Sequence, residues 1–181
     1  MKKKYKIIYA DPPWSYKVWS EKGTGRSASQ HYNTMSREDI QKLDVASIAD
    51  KDCALFLWAT YPCLPEALEL LKAWGFEYKT VAFTWVKKNK ISDTWFWGLG
   101  HWTRSNPEIC ILATRGKPKR ISKSIHSILD DRIRKHSQKP DSTRDRIVQL
   151  MGGVERIELF AREKTPGWDV WGDEVESDIK L

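Results

Sequence analysis

Apolar residues fall in short dense runs separated by polar stretches, and the two alternate along the chain. Lys6-Ile7-Ile8-Tyr9-Ala10 is stopped by Asp11-Pro12-Pro13; its brevity and β-branched content predict a buried strand. Cys53-Ala54-Leu55-Phe56-Leu57-Trp58 predicts a second, residues 78–86 a third, Ile109-Cys110-Ile111-Leu112-Ala113 a fourth and Arg156-Ile157-Glu158-Leu159-Phe160 a fifth. Between them, Ser36-Arg37-Glu38-Asp39 reads as a capped helix start with an acidic first turn. Pro65 opens an amphipathic helix with Leu68, Leu71 and Trp74 on one side, and Gly75 closes it. Asp141 or Ser142 caps a third helix, which runs through Met151 to Gly152-Gly153. Residues 15–34 and 87–106 read as long loops, and long loops in a compact domain are often functional. Strands alternating with helices predict an α/β domain with a mainly parallel sheet, helices on both faces and ligands off the carboxyl ends of the strands. Two polar segments stand at such ends, 11–14 and 161–164.

The chain has 181 residues, which suits one domain spanning 1–181, and no internal repeat interrupts it. No apolar stretch is long enough for a membrane span, and the basic N-terminus lacks the apolar core of a signal peptide. We therefore read a cytoplasmic protein with no membrane partner. Cys53, Cys63 and Cys110 are odd in number and lack metal-type spacing, so they read as buried thiols rather than disulfides or a metal site. Charge alters the picture further. The net charge is +7, and residues 115–146 hold eleven Lys or Arg against four Asp or Glu. Ten tryptophans accompany it. Basic and aromatic residues together suit phosphate contact and base stacking, and the alternative is a solvated basic face over a Trp-rich core. Trp58, Trp74 and Trp85 read as core; Trp95, Trp97 and Trp102 lie in a polar loop, where they are candidates for stacking or partner contact.

The segment Asp11-Pro12-Pro13-Trp14 carries the most specific chemistry. Each residue before a proline is pushed to extended backbone, and both prolines have fixed φ. The result is a stiff hook that offers carbonyl acceptors, the Asp11 carboxylate and the flat face of Trp14. That set suits an adenine amino group, whose lone pair is delocalised into the ring. Acceptors on both hydrogens, Asp11 Oδ and the Pro12 carbonyl, would localise that lone pair for attack on a methyl sulfonium. A stacked aromatic would fix the base, and positioning would supply much of the rate without a metal or covalent nucleophile. The other reading of these residues is a structural Pro-Pro turn after a strand.

Ala10-Asp11-Pro12-Pro13-Trp14 resembles the D/N/S-P-P-Y/F/W motif of amino-methyltransferases. From about Lys6 to Glu174 the chain resembles the catalytic domain of the eukaryotic messenger-RNA m6A writer and its bacterial and phage relatives. Supporting motifs are Tyr32-Asn33-Thr34-Met35-Ser36, Leu55-Phe56-Leu57-Trp58, Trp85-Val86-Lys87, Gly100-His101-Trp102, Lys139-Pro140-Asp141 and Ile157-Glu158-Leu159-Phe160. The resemblance implies a Rossmann-like S-adenosylmethionine-dependent methyltransferase fold in circularly permuted order, with the catalytic strand first, the cofactor strand last and the two adjacent. It implies that Asp11, Pro12, Pro13 and Trp14 are catalytic. It places Asp11, Ser137, Lys139, Glu158, Leu159, Phe160 and Arg162 near the cofactor. Gly172-Asp173-Glu174 stands where the family has a ribose-binding Gly-Asn-Gln, with carboxylates replacing amides; Lys164-Thr165 replaces a His-Asn pair. Tyr32, Glu108 and Lys139 fall around the acceptor base, with Arg104 on the same surface.

These implications give an adenine-specific DNA methyltransferase using S-adenosylmethionine, with the loops 15–35 and 87–106 as clamps for a flipped base. Methylation of adenosine in RNA is one alternative, and a non-catalytic nucleic-acid-binding subunit is another. The family's pairing of catalytic domains implies a homodimer or a paired methyltransferase subunit, with the Trp-rich loop as interface.

Overall fold

β1 (Tyr5–Ala10) is the strand around which the fold is arranged, in a computed structural model that describes residues 3–14, 35–135 and 138–181. The element order continues α1 (Arg37–Lys42), β2 (Ala49–Ala59), α2 (Leu64–Ala73), β3 (Glu77–Trp85), β4 (Glu108–Arg115), β5 (Ile128–Leu129), α3 (Ser142–Met151), β6 (Arg156–Leu159) and β7 (Asp169–Trp171). The strands form one seven-stranded sheet in the order β5-β3-β4-β2-β1-β6-β7. Among the described residues only β4 is reversed, antiparallel to both β2 and β3, so the sheet is mainly parallel. β1 lies between β2 and β6, with Ile8 opposite Leu55 on one side and Ile157 on the other. The expected adjacency of first and last long strands therefore holds. β5 and β7 were not expected: two and three residues are too short to leave a periodic signature.

The central strands are apolar throughout because both of their faces are covered. On one face Ile8, Leu55, Leu57, Ile111 and Leu159 pack with Ile40 of α1 and with Ala67, Leu70 and Leu71 of α2. On the other, Ile7, Tyr9, Phe56, Trp58, Phe83 and Trp85 pack with Ile147 and Met151 of α3. Trp58, Trp74 and Trp85 are core, and all three cysteines are buried and free. Among the described residues no helix is long and apolar enough to cross a membrane.

The helix ends follow local chemistry. Ser36 Oγ accepts the Asp39 N–H at 3.1 Å and caps α1. α2 ends where Gly75, at φ +79°, donates to the Lys72 carbonyl at 3.0 Å and Phe76 donates to that of Leu71 at 2.8 Å, a Schellman closure. Two expectations need correction. Leu68 is not on the buried side of α2; that face is Ala67, Leu70 and Leu71, with Trp74 just beyond, because the helix turns Leu68 a full 100° from Leu71's neighbour Ala67. Asp141 occupies the N-cap position of α3, yet its side chain makes no capping bond: Arg134 and Arg144 hold its carboxylate.

The two leucines give a direct test. Leu71→Ala should cost about 2–5 kcal/mol by urea denaturation, the usual range for a core leucine. Leu68→Ala should cost under about 1 kcal/mol, as expected of a surface position. Equal losses would contradict the buried face assigned to α2.

Candidate active site

The carboxyl ends of β1, β2, β6 and β7 and the start of the reversed β4 meet at one end of the sheet. Asp11 follows β1 directly. Its Oδ2 accepts a hydrogen bond from Lys139 Nζ at 2.9 Å, in the segment that precedes α3. The same ammonium lies 3.2 Å from Glu108 Oε2, on the first residue of β4. Glu108 Oε1 is in turn 2.6 Å from Lys87 Nζ, just past the end of β3. Two carboxylates and two ammonium groups thus alternate in a largely buried row. Tryptophan rings support the cations: Lys139 Nζ stands 5.6 Å from the centre of Trp58, and Lys87 Nζ 5.3 Å from that of Trp85.

The row shifts the acidities of its members. Burial lifts the Asp11 carboxyl above its usual range, with the Lys139 ammonium opposing and Glu108 assisting. Burial works the same way on Glu108, but Lys139 and Lys87 outweigh it and hold that carboxyl down at about 2. Burial disfavours the Lys139 ammonium, yet its two carboxylate neighbours win and its pKa rises. One lysine with two carboxylates is fixed as a cation, and a second lysine keeps the far carboxylate ionised.

The proline hook behaves as its chemistry requires. The Trp14 N–H donates to the Pro12 carbonyl at 2.8 Å, which leaves that oxygen one further lone pair. The Trp14 indole N–H donates to the Trp58 carbonyl at 2.9 Å, and its ring is buried with the α1–α2 core. Trp14 therefore anchors the hook to β2; its ring is not the open stacking face expected of it.

Beside Asp11 lies an open cleft of about 170 Å³, lined among others by Tyr9, Glu158, Phe160, Arg162 and Glu174. Glu158 is gripped through both oxygens by Arg144, at 2.7 and 2.9 Å, and Arg144 also lies over the Tyr9 ring. Phe160 has φ +60°, a conformation non-glycine residues seldom adopt, and it turns the chain off β6 at the cleft wall. Arg162 Nε donates to Glu174 Oε1 at 3.0 Å.

The sequence-derived residues divide accordingly. Asp11, Lys139, Glu158, Phe160, Arg162 and Glu174 come together around the cleft, with Glu108 behind Lys139. Leu159 is wholly buried in the core beneath it. Gly172 packs so tightly on Ala161 that a Cβ would stand 2.3 Å from its carbonyl oxygen, and Asp173 is exposed and outside the lining. Arg104 donates to the Gly98 carbonyl within its own loop. Lys164 lies near Glu176 and Asp178 instead. Tyr32, Ser137 and most of the first loop lie outside the described residues. Sequence reasoning missed Tyr9, Lys87, Lys135, Gln138, Arg144 and Glu163. Lys87 had a usable signal, a lysine directly after a buried strand; Arg144, three residues past Asp141 on a basic helix, had none.

The low pKa of Glu108 predicts an acid limb. Its ionised form contributes stability that is fully present above the ordinary value of 4.5 and disappears as pH falls through about 2. Between those values the wild type should lose stability more steeply than Glu108→Gln, so their urea midpoints should converge toward pH 2. Parallel curves would mean that Glu108 is not held ionised.

Comparison with known proteins follows this geometry. The sequence profile MT-A70 matches residues 5–174. The chain is 37% identical over 191 residues to the type II methyltransferase M.MunI of Mycoplasma sp, covering 96% of this chain and 79% of that one. It is 29% identical to the N(6)-adenosine-methyltransferase MT-A70-like protein of Drosophila melanogaster and 28% identical to the N(6)-adenosine-methyltransferase catalytic subunit METTL3 of Homo sapiens. Each of those alignments covers 96% of this chain but only 27% and 28% of the respective relative. The profile runs through all seven strands and through Asp11, Glu108, Lys139 and Glu158: the chain belongs to the MT-A70 family.

Proposed function

We propose that this chain transfers a methyl group from S-adenosylmethionine to the exocyclic 6-amino group of adenine in DNA. The observation that carries the reading is the position of Asp11, at the end of the central strand, between a rigid carbonyl-bearing hook and a polar cleft. Lys139 occupies Asp11 Oδ2, and no partner to Oδ1 is recorded among the described residues. Oδ1 and the second lone pair of the Pro12 carbonyl are the acceptors offered to the two amino hydrogens. Gripping both hydrogens draws the nitrogen toward a tetrahedral shape and frees its lone pair. Lys139, neutralised by Asp11 and Glu108, keeps Asp11 oriented and lets a carboxylate persist in a buried position. Burial raises the pKa of Asp11, which also suits its carboxylate to receive the proton that the amine must lose.

The cleft suits the cofactor by its donor set. Glu158 and Glu174 present carboxylate acceptors for ammonium and ribose hydroxyls, Arg162 and Gln138 present donors, and Phe160 presents a ring. What S-adenosylmethionine supplies when bound is an electrophilic methyl group on sulfur. Arg144 holds Glu158 in place by two parallel hydrogen bonds, and Tyr9 closes the cleft floor beneath it.

DNA is favoured by the type II methyltransferase, to which the chain is more similar and which it spans over most of its length. Adenosine in RNA is the second reading, favoured by relatives named for N(6)-adenosine. Labelled methyl transfer to matched deoxyribo- and ribo-oligonucleotides separates them, with mass spectrometry of the digested product. The expected product is the 6-methylamino deoxynucleoside. Asp11→Ala should lower kcat/KM by about 100-fold or more, comparable with removal of one preorganised polar group from an active site. Transfer to RNA alone would select the second reading. No transfer by a folded wild type would sink both and leave a binding subunit.

A further inference from the structure

Gly116 turns the chain back at the end of β4. Because β4 runs against its neighbours, this turn lies at the end of the sheet away from the cleft. Its φ is +65°, and a Cβ there would run into the Lys51 carbonyl. Residues 117–127 then return along α3 to β5, where Leu129 stands opposite Trp85 at the cleft end. The backbone of this strap is fastened throughout. The Lys117 N–H donates to Asp52 Oδ1 at 2.7 Å, and the N–H groups of Ile121 and Ser122 donate to the Leu150 carbonyl at 2.8 and 3.3 Å. Arg146 Nη1 donates to the carbonyls of His126 and Ile128 at 2.8 and 2.6 Å. Ile125 packs beneath, against the core that α3 covers.

The side chains of the strap are not used in holding it. Residues 115–129 contain five Lys or Arg and no Asp or Glu. Lys117, Lys119, Arg120 and Lys123 are all exposed, and none of the four has an acidic partner among the described residues. Asp50 and Asp52, on the adjoining β2, accept backbone N–H groups instead. Nor do the cations cap α3, since backbone N–H groups meet its Leu150 carbonyl. Arg132 and Arg134, further along, differ: Asp93 and Asp141 neutralise them. A fixed strap therefore carries four cations that the fold does not use.

Two observations identify the occupant. Residues 116–127 hold no Phe, Tyr or Trp to stack a base and no Asn or Gln to read one, while Ser122, Ser124 and Ser127 add hydroxyls. Lysines, an arginine and hydroxyls suit phosphate oxygens, contacts that position a nucleic acid without reading it. The second observation is place. α3 starts beside Lys139 at the cleft and ends beside the strap, and its ten residues span about 15 Å. A nucleotide confined to the cleft cannot bridge that gap, whereas a duplex crosses it in about four base pairs.

We propose that Lys117, Lys119, Arg120 and Lys123 form a phosphate-binding strap that holds duplex DNA on one side of the target adenine, away from the cleft. The inference rests on the function proposed above and adds to it the path of the flanking duplex.

The test compares the full wild-type chain with the fourfold variant Lys117→Gln, Lys119→Gln, Arg120→Gln and Lys123→Gln. Anisotropy of dye-labelled duplexes is followed across a salt series. One duplex extends about ten base pairs to each side of the adenine and the other about two, too few to reach the strap. Each phosphate contact contributes about 0.9 to the slope of log affinity against log salt, so the variant's slope on the long duplex should be shallower by about 3. On the short duplex the two proteins should bind alike. In methyl transfer to the long duplex the variant should show a raised KM and an unchanged kcat. Arginine in place of the three lysines should keep the wild-type slope, because charge is what the strap supplies. Parallel slopes on the long duplex would overturn the strap. So would an equal loss on both duplexes, or a slope difference with duplex RNA and none with duplex DNA. Should the wild type methylate nothing, the proposed function falls, while the salt slopes still decide the strap.

Discussion

The Nζ of Lys139 sits between two carboxylates at the carboxyl end of the sheet, and the geometry of the site depends on that position. It joins Asp11 after β1 to Glu108 at the start of β4, strands that are separated in the sheet by β2. An ionised carboxylate in so closed a setting would be costly without a partner, and so would a buried ammonium. Alternation solves both at once: Asp11, Lys139, Glu108 and Lys87 sum to zero charge, and each member has an opposite neighbour within 3.2 Å. Asp11 is thereby oriented by a charged contact and not by packing alone.

The fold explains why this arrangement forms where it does. β1 has parallel partners on both sides, so its carboxyl end opens between the ends of β2 and β6. The reversal of β4 brings its first residue, not its last, to the same end, which is how Glu108 enters the site. The two prolines then stop β1 abruptly and fix the backbone over the opening, and Trp14 fastens the hook to the Trp58 carbonyl. On the β6 side, the left-handed Phe160 swings the chain to make the cleft wall, so acceptor hook and cleft share one strand boundary.

Much of this was legible in the residues. The five long strands and three helices follow from apolar run length, a Ser cap and a Gly terminator, because those signals are local. Asp11 was legible because a strand followed by two prolines allows few backbones. Trp14 was misjudged because a sequence cannot tell an aromatic that offers its face from one that spends its N–H on a neighbouring strand. Leu68 was misplaced because Leu68, Leu71 and Trp74 are spaced by three, while the buried stripe also takes in Ala67 and Leu70. Lys87 left a local signal, a lysine directly after a buried strand, but its partner did not: the register that sets Trp85 opposite Glu108 brings Lys87 to that carboxylate. Arg144 and Tyr9 became visible only through tertiary pairing, Arg144 with Glu158 and over the Tyr9 ring. Cleft residues drawn from β1, α3, β6 and the segment after β7 are likewise a product of topology.

The measurement that tests the central claim most directly is the titration of the Lys139 ammonium, followed by its Nζ resonance in nitrogen-15 labelled protein. An ammonium held by Asp11 and Glu108 should keep its proton well past the ordinary lysine value of 10.5 and exchange it slowly with water. A midpoint at or below that value would mean that the two carboxylates do not grip Lys139, and that Asp11 is oriented by something else.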